Sequence, residues 1–375
     1  MDSKIPGLYI HIPFCRTKCG YCNFYSVTSL TSIPDFLEAL GREMEMVLGE
    51  FSPFDTVYIG GGTPSILSLD EIENLLTRIR RNFVLLPDIE ITVEANPADL
   101  NLSLARGLLS FGVNRLNIGI QSFDQRILDF LGRRHTSTEA VSAIETARKA
   151  GFENIGFDLL YGIPDQDIRS WLDTLSKALT FDPEHLSCYQ LTLESKTPLG
   201  KRYEQQDFSL PGEELEYDFF IRTAESLEEV GYIHYEVSNF AREINLISRH
   251  NQKYWNHTPY LGLGPGAHSF SGHRRWWNHL SVERYITDVN FGKRPIQEAE
   301  TLTMEQLRLE ALFLGLRTKK GVCLKEFSEQ YGCDLAVEKR EVLNRLQEEG
   351  LVAINEGNLV PTRAGLAVAD GLALI

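Results

Sequence analysis

The chain has 375 residues, 43% of them hydrophobic and 24% charged, with a formal net charge of −15 and a pI near 5.1. This composition suits a globular protein with a sizeable core and room for a second, smaller domain. The acidity disfavours a nucleic-acid partner, no apolar run approaches a membrane span, and no leader-like stretch precedes the first strand pattern, so a cytoplasmic protein is expected.

Strand-like and helix-like patterns alternate from the start. Leu8 to Ile12 reads as a strand, and Phe36, Leu37, Leu40, Met44, Val47 and Leu48 recur at helical spacing. Thr56 to Ile59 is a second strand, followed by the glycine turn Gly60-Gly61-Gly62-Thr63-Pro64 and a helix around Ile72 to Ile79. Ile89 to Val93 precedes a helix from Asn101 to Phe111, and Arg115 to Ile120 precedes helices at 124 to 150. Asn154 to Leu159 leads into a helix around Trp171, and Leu186 to Leu191 is the sixth strand. Six strand-helix units in a row predict a parallel α/β sheet, closed or partly closed, with its chemistry at the carboxyl ends of the strands. The unusual residues fall there: Cys15 to Cys22, Gly60 to Pro64, Glu94, Gln121, Asp158 and Thr192 each follow or end a strand.

The chain then changes character. Residues 1–240 read as the α/β domain, 241–300 as an irregular connecting segment, and 301–375 as a small domain of three helices and a β-wing, winged-helix-like, with Glu356-Gly357 in the hairpin turn. That last segment is also net acidic, which favours a structural or docking role over DNA binding.

The most informative stretch is Cys15-x3-Cys19-x2-Cys22. Three soft thiolates on one short loop can hold three irons of a cubane cluster and leave the fourth iron open to substrate. A zinc site would need a fourth ligand, for which His11 is the nearest candidate. A disulfide is at odds with the compartment and with the odd number. Cys188, Cys323 and Cys333 are isolated and expected to be ordinary buried thiols.

This loop after a first strand resembles the signature of the radical S-adenosylmethionine (SAM) enzymes. The resemblance implies a [4Fe-4S] cluster on Cys15, Cys19 and Cys22, with SAM on the open iron as the source of a 5'-deoxyadenosyl radical. Tyr9 to Cys15, Gly60 to Pro64, Asn114 to Phe123 and Phe157 to Pro164 are similar, more narrowly, to the oxygen-independent coproporphyrinogen III oxidase branch of that family. By that resemblance Tyr9, Tyr21, Gly61, Gly62, Thr63, Glu94, Gln121, Arg133, Asp158, Thr192 and Ala267 line the SAM pocket of a partial (β/α)6 barrel. Arg133 would offer a cation for a carboxylate, and the acids would suit ribose hydroxyls.

Two departures separate the chain from the decarboxylating enzymes. Phe24 stands where they carry a further cysteine, and the strand-one motif opens almost at once, without their amino-terminal extension. Both features, with His250-Asn251-Gln252-Lys253-Tyr254-Trp255, are similar to the HemW branch of heme chaperones. Five of nine histidines and three of four tryptophans fall within the thirty residues from His250 to His279. A heme needs an imidazole for its iron and flat apolar walls for its ring, so His250 is the expected axial ligand and Tyr254 and Trp255 the expected ring contacts. The resemblance implies delivery of heme to respiratory cytochrome subunits and SAM cleavage without coproporphyrinogen oxidation; peripheral contact with the inner membrane and a homodimer are compatible with it. The alternative is the oxidase itself, a radical decarboxylase of porphyrinogen propionates.

Overall fold

The computed structural model describes residues 4–372. Its main sheet has twelve strands. In chain order they are β1 (Gly7–Ile12), β2 (Phe54–Gly61), β3 (Leu85–Ala95), β4 (Arg115–Gln121), β5 (Ile155–Tyr161), β6 (His185–Gln190), β7 (Ile233–Glu236), β8 (Asn239–Ala241), β9 (Tyr260–Leu263), β10 (His268–Phe270), β11 (Arg274–Asn278) and β12 (Ile296–Thr301). The spatial order is β12-β11-β10-β9-β1-β2-β3-β4-β5-β6-β8-β7, and the two ends do not pair, so the barrel is partial. β1 to β6 run parallel, β9 lies parallel to β1, and the two margins continue antiparallel.

The period-two pleat decides which residues meet. Leu8, Ile10 and Ile12 of β1 are wholly buried against the outer helices, whereas Tyr9 and His11 face the concave side. The helices over the outer face begin where a side chain accepts an orphan backbone N–H: Ser68 and Thr136 form capping boxes with Glu71 and Glu139, and Asn101, Asp124 and Asp167 cap three more. Each such cap is worth about 1 kcal/mol. Gly132 and Gly151, both left-handed, end two of them.

Residues 241–300, expected to be an irregular connector, instead complete β8 and add β9 to β12 to the sheet. Strands of three to six residues, several with polar exposed faces, carry too short a pattern to read. The small domain is as expected: helices Met304–Gly315, Leu324–Tyr331 and Arg340–Glu348 pack with a sheet of β13 (Val322–Cys323), β14 (Val352–Asn355) and β15 (Asn358–Pro361) in the order β13-β15-β14. Its hairpin turns at Glu356 and Gly357, both at positive φ. Its core includes Phe270 of the main sheet. Cys188 and Cys333 are buried, while Cys323 is only half-buried.

One buried acid fastens the margin of the sheet to the barrel. Glu43, on the helix Ile33–Met46, is 3% exposed and accepts from the Gly264 amide at 2.9 Å, the Asn278 amide at 2.6 Å and the Tyr285 hydroxyl at 2.6 Å. Replacing it with alanine strands three buried donors. Glu43→Ala should lower unfolding free energy by about 3 kcal/mol in urea titrations, whereas substitution of the exposed neighbour Glu45 should change it by less than about 0.5 kcal/mol.

Candidate functional site

A cavity of about 500 Å3 opens at the carboxyl ends of the strands and runs into the barrel. Cys15, Cys19 and Cys22 lie on its rim, and no disulfide ties them. Their loop is held largely by backbone: Cys15 N–H donates to Val27 O at 3.0 Å, Gly20 N–H to Leu131 O at 3.1 Å, and the amides of Gly62 and Thr63 donate to the carbonyls of Ile12 and Phe14, both at 2.8 Å. Gly62 permits that approach, since a Cβ there would lie 2.7 to 2.9 Å from Phe14 and Ile12 backbone atoms. Gly61 has a φ of 108°, and its missing side chain leaves room for the His11 ring.

Side chains orient the sulfurs. The Thr63 hydroxyl donates to Cys15 Sγ and Arg133 Nη1 to Cys19 Sγ, each at 3.3 Å, while Arg133 Nη2 is fixed on Gly119 O at 2.7 Å. Among the described residues no three His, Cys, Asp or Glu side chains converge on one metal-ion position. Three thiols spaced along one rim suit a cubane, whose corners each take one thiolate. His11 is not a ligand: its Nδ1 meets the Tyr9 hydroxyl at 3.1 Å and its Nε2 the Tyr25 carbonyl at 2.8 Å.

Behind the rim the lumen is acidic. Glu94 accepts from the Tyr58 hydroxyl at 2.7 Å and the Gly61 amide at 3.3 Å, and burial pushes its pKa up to about 7. Asp158 accepts from Asn117 at 2.7 Å and is likewise raised by burial. Gln121 sits at φ 64°, a left-handed conformation rare for residues other than glycine and typical of strained functional positions.

Of the expected SAM residues, Tyr21, Gly61, Gly62, Thr63, Glu94, Gln121, Arg133, Asp158 and Thr192 line this one cavity. Tyr9 and Ala267 do not: Tyr9 lies one pleat below His11, against Tyr58 and His250, and Ala267 is buried at the β9–β10 turn. The expected heme residues are elsewhere. The helix Arg249–Trp255 closes the barrel at the opposite, amino-terminal end of the strands. His250 is wholly buried there, stacked on Tyr58, with Nδ1 on the Thr56 hydroxyl at 2.9 Å and Nε2 on the Tyr254 hydroxyl at 3.0 Å. Both ring nitrogens are engaged, and burial, with Lys253 adding to it, depresses its pKa to about 3. His250 and its partner Tyr254 form part of the barrel's floor, and Trp255 ends the same short helix.

Sequence reasoning passed over Tyr58, Thr92, Arg115, Asn117, His185 and Ser187, all of which line the lumen. A signal was present: polar residues at alternate positions of otherwise apolar strands, as in Arg115-Leu116-Asn117 and His185-Leu186-Ser187.

The partial barrel and its three-thiol rim define a radical SAM protein. Residues 9–178 match the Radical SAM superfamily and residues 302–368 the HemN C-terminal domain. The chain is 36% identical to the heme chaperone HemW of Bacillus subtilis over 95% of each chain, and 34% identical to that of Lactococcus lactis over 99% of this chain and 97% of that one. It belongs to the HemW family. Coproporphyrinogen III oxidase (HemN) of Escherichia coli has the same fold, with a TM-score of 0.85 over 99% of this chain and 90% of that one at 23% identity. Membership of the superfamily implies a [4Fe-4S] cluster and SAM, and the thiols, their donors and the cavity fit both.

Two outcomes are expected. Gly62→Ala should displace the cysteine loop, and after anaerobic reconstitution it should hold roughly half or less of the wild-type iron, by colorimetric assay, with an unchanged far-ultraviolet spectrum. In the absence of ligands, the stability gained by Glu94→Gln over wild type should be near zero at pH 4, where the acid is protonated folded and unfolded. It should grow as pH rises from 4.5 through about 7, because only the native state holds the proton in that window.

Proposed function

We propose that this chain is a cytoplasmic heme chaperone on a radical SAM scaffold, binding heme and handing it to apo-cytochrome subunits of respiratory complexes at the inner membrane. The observation that carries the reading is the 36% identity to the Bacillus subtilis heme chaperone along 95% of both chains. No described helix is long and apolar enough to cross a membrane, so contact with one would be peripheral. The cluster, when bound, supplies an electron to SAM. The chain's own part is to orient the thiolates through Thr63 and Arg133, to receive the SAM amino group at Gly61 and Gly62, and to meet its carboxylate and ribose with Arg133, Glu94 and Asp158.

Heme requires a second place, with an accessible imidazole beside a flat ring. His250 has the flat ring of Tyr58 beside it but sits wholly buried with both nitrogens engaged. His268, at the start of β10, offers both: it is exposed, and it stacks on Trp277 with ring centroids 5.4 Å apart and 23° between planes. Partial burial, with Arg275 near, lowers its pKa, so at neutral pH the ring keeps a free lone pair. Leu280 and Tyr25, both packed against Gly266 close to it in the chain, extend the apolar surface toward the exposed Phe24. His268 is therefore the heme ligand in this reading.

Hemin titration followed by Soret absorbance tests it. Wild type should bind stoichiometrically, His268→Ala should bind roughly tenfold more weakly or worse with a shifted band, and His250→Gln should lose stability while keeping its heme affinity. Equal affinity in His268→Ala sinks the ligand assignment, and no binding or transfer to an apo-cytochrome by wild type sinks the chaperone reading. Porphyrinogen decarboxylation by the anaerobically reconstituted chain would replace it with the oxidase.

A further inference from the structure

The floor of the lumen carries unmatched polar groups that neither the cluster rim nor the heme surface uses. Arg115, the first residue of β4, is 2% exposed, and its guanidinium lines the cavity with a single hydrogen bond, from Nη1 to the Leu246 carbonyl at 2.9 Å. It forms no ion pair among the described residues. The lumen acid Asp158, higher up the barrel, accepts from Asn117 at 2.7 Å and feels Arg115 only through space. A cation so buried is ordinarily matched by an acid, because leaving it unmatched is expensive.

Two neutral donors share the floor. The Thr92 hydroxyl, on a wholly buried residue paired directly with Arg115 across β3 and β4, has no partner. His185 Nδ1 has none either. The other nitrogen of His185 lies 2.6 Å from the Tyr235 hydroxyl. With Tyr235 donating to Nε2, the imidazole proton sits on Nδ1, which is then a free donor. Gly156, between them, lets Asn117 pack close: a Cβ there would lie 2.5 Å from Asn117 Oδ1 and 3.4 Å from His185 Nδ1.

We propose that this floor binds a monocarboxylate, its acid group seated among Arg115, Thr92 Oγ1 and His185 Nδ1, with the rest of the molecule pointing up the lumen toward the cysteines. One cation and two neutral donors match one negative charge. A phosphate dianion would bring a second charge beneath Asp158 and Glu94, with no cation to meet it. From Arg115 to Gln121 the strand climbs roughly 20 Å, enough for a small acid below and a nucleoside above. The site is therefore a substrate-sized pocket within reach of the rim, and it stands apart from the heme reading.

The test is saturation-transfer NMR and thermal denaturation of the full-length chain with sodium propionate, against sodium phosphate and sodium chloride at equal ionic strength. Propionate should bind saturably and raise the melting temperature more than either control. Arg115→Met should weaken binding about tenfold or more, and Thr92→Val, which keeps shape and removes one donor, about threefold or more. Propionate doing no better than chloride, phosphate binding as well as propionate, or unchanged affinity in Arg115→Met overturns the proposal. Should Arg115→Met not fold, unchanged affinity in Thr92→Val overturns it instead.

Discussion

The structure depends on the way a loop of reactive thiols is gripped by backbone. Residues 13–27 have little core of their own, so other segments fix their shape. Val27 N–H reaches Pro13 O at 2.8 Å, the Gly62 and Thr63 amides clamp the strand-one exit, and Gly20 bridges Leu131 O and the Leu199 amide. These bonds draw on the ends of β2, the helix after β4 and the helix after β6. The loop can be positioned to within a fraction of an ångström only if those elements already stand in a barrel. The run of three glycines belongs to the same constraint, since side chains there would meet the loop, Glu94 or His11.

Much of this was legible in the sequence, because its cause is local. Six strand-helix alternations, the cysteine spacing and the polar residues at strand ends are patterns of a few residues each, and nine of the eleven expected SAM residues fall on one cavity. The setting of the heme candidates at 250 to 255 was not legible, for an equally physical reason. A histidine followed four residues later by a tyrosine is one helical face, and sequence does not say whether that face meets solvent or a barrel's underside. At 250 and 254 it meets the underside, and the pair is bonded through Thr56 and Tyr58 to β2. The short strands β9 to β12 were invisible for want of length, and with them the stacking of His268 on Trp277, which needs two antiparallel strands in register.

The fold shared with coproporphyrinogen III oxidase and the family shared with heme chaperones both run along nearly the whole chain. The barrel and small domain are common ground. Phe24 and Leu280 stand out on the surface, 69% and 57% exposed.

The floor helix has a mechanical implication through Glu310 of the small domain. This acid meets His257, just beyond the helix, at 3.1 Å and Arg275 of β11 at 3.0 and 2.5 Å. Partial burial alone would raise its pKa, yet these two partners hold it at about 2, so the contact persists from neutrality until pH falls through about 4.5 toward that value. A single carboxylate thus rivets the accessory module to the plug and to the sheet margin bearing Trp277. Any displacement of that module would pull on the seal of the inner chamber and on the aromatic shelf at the same moment.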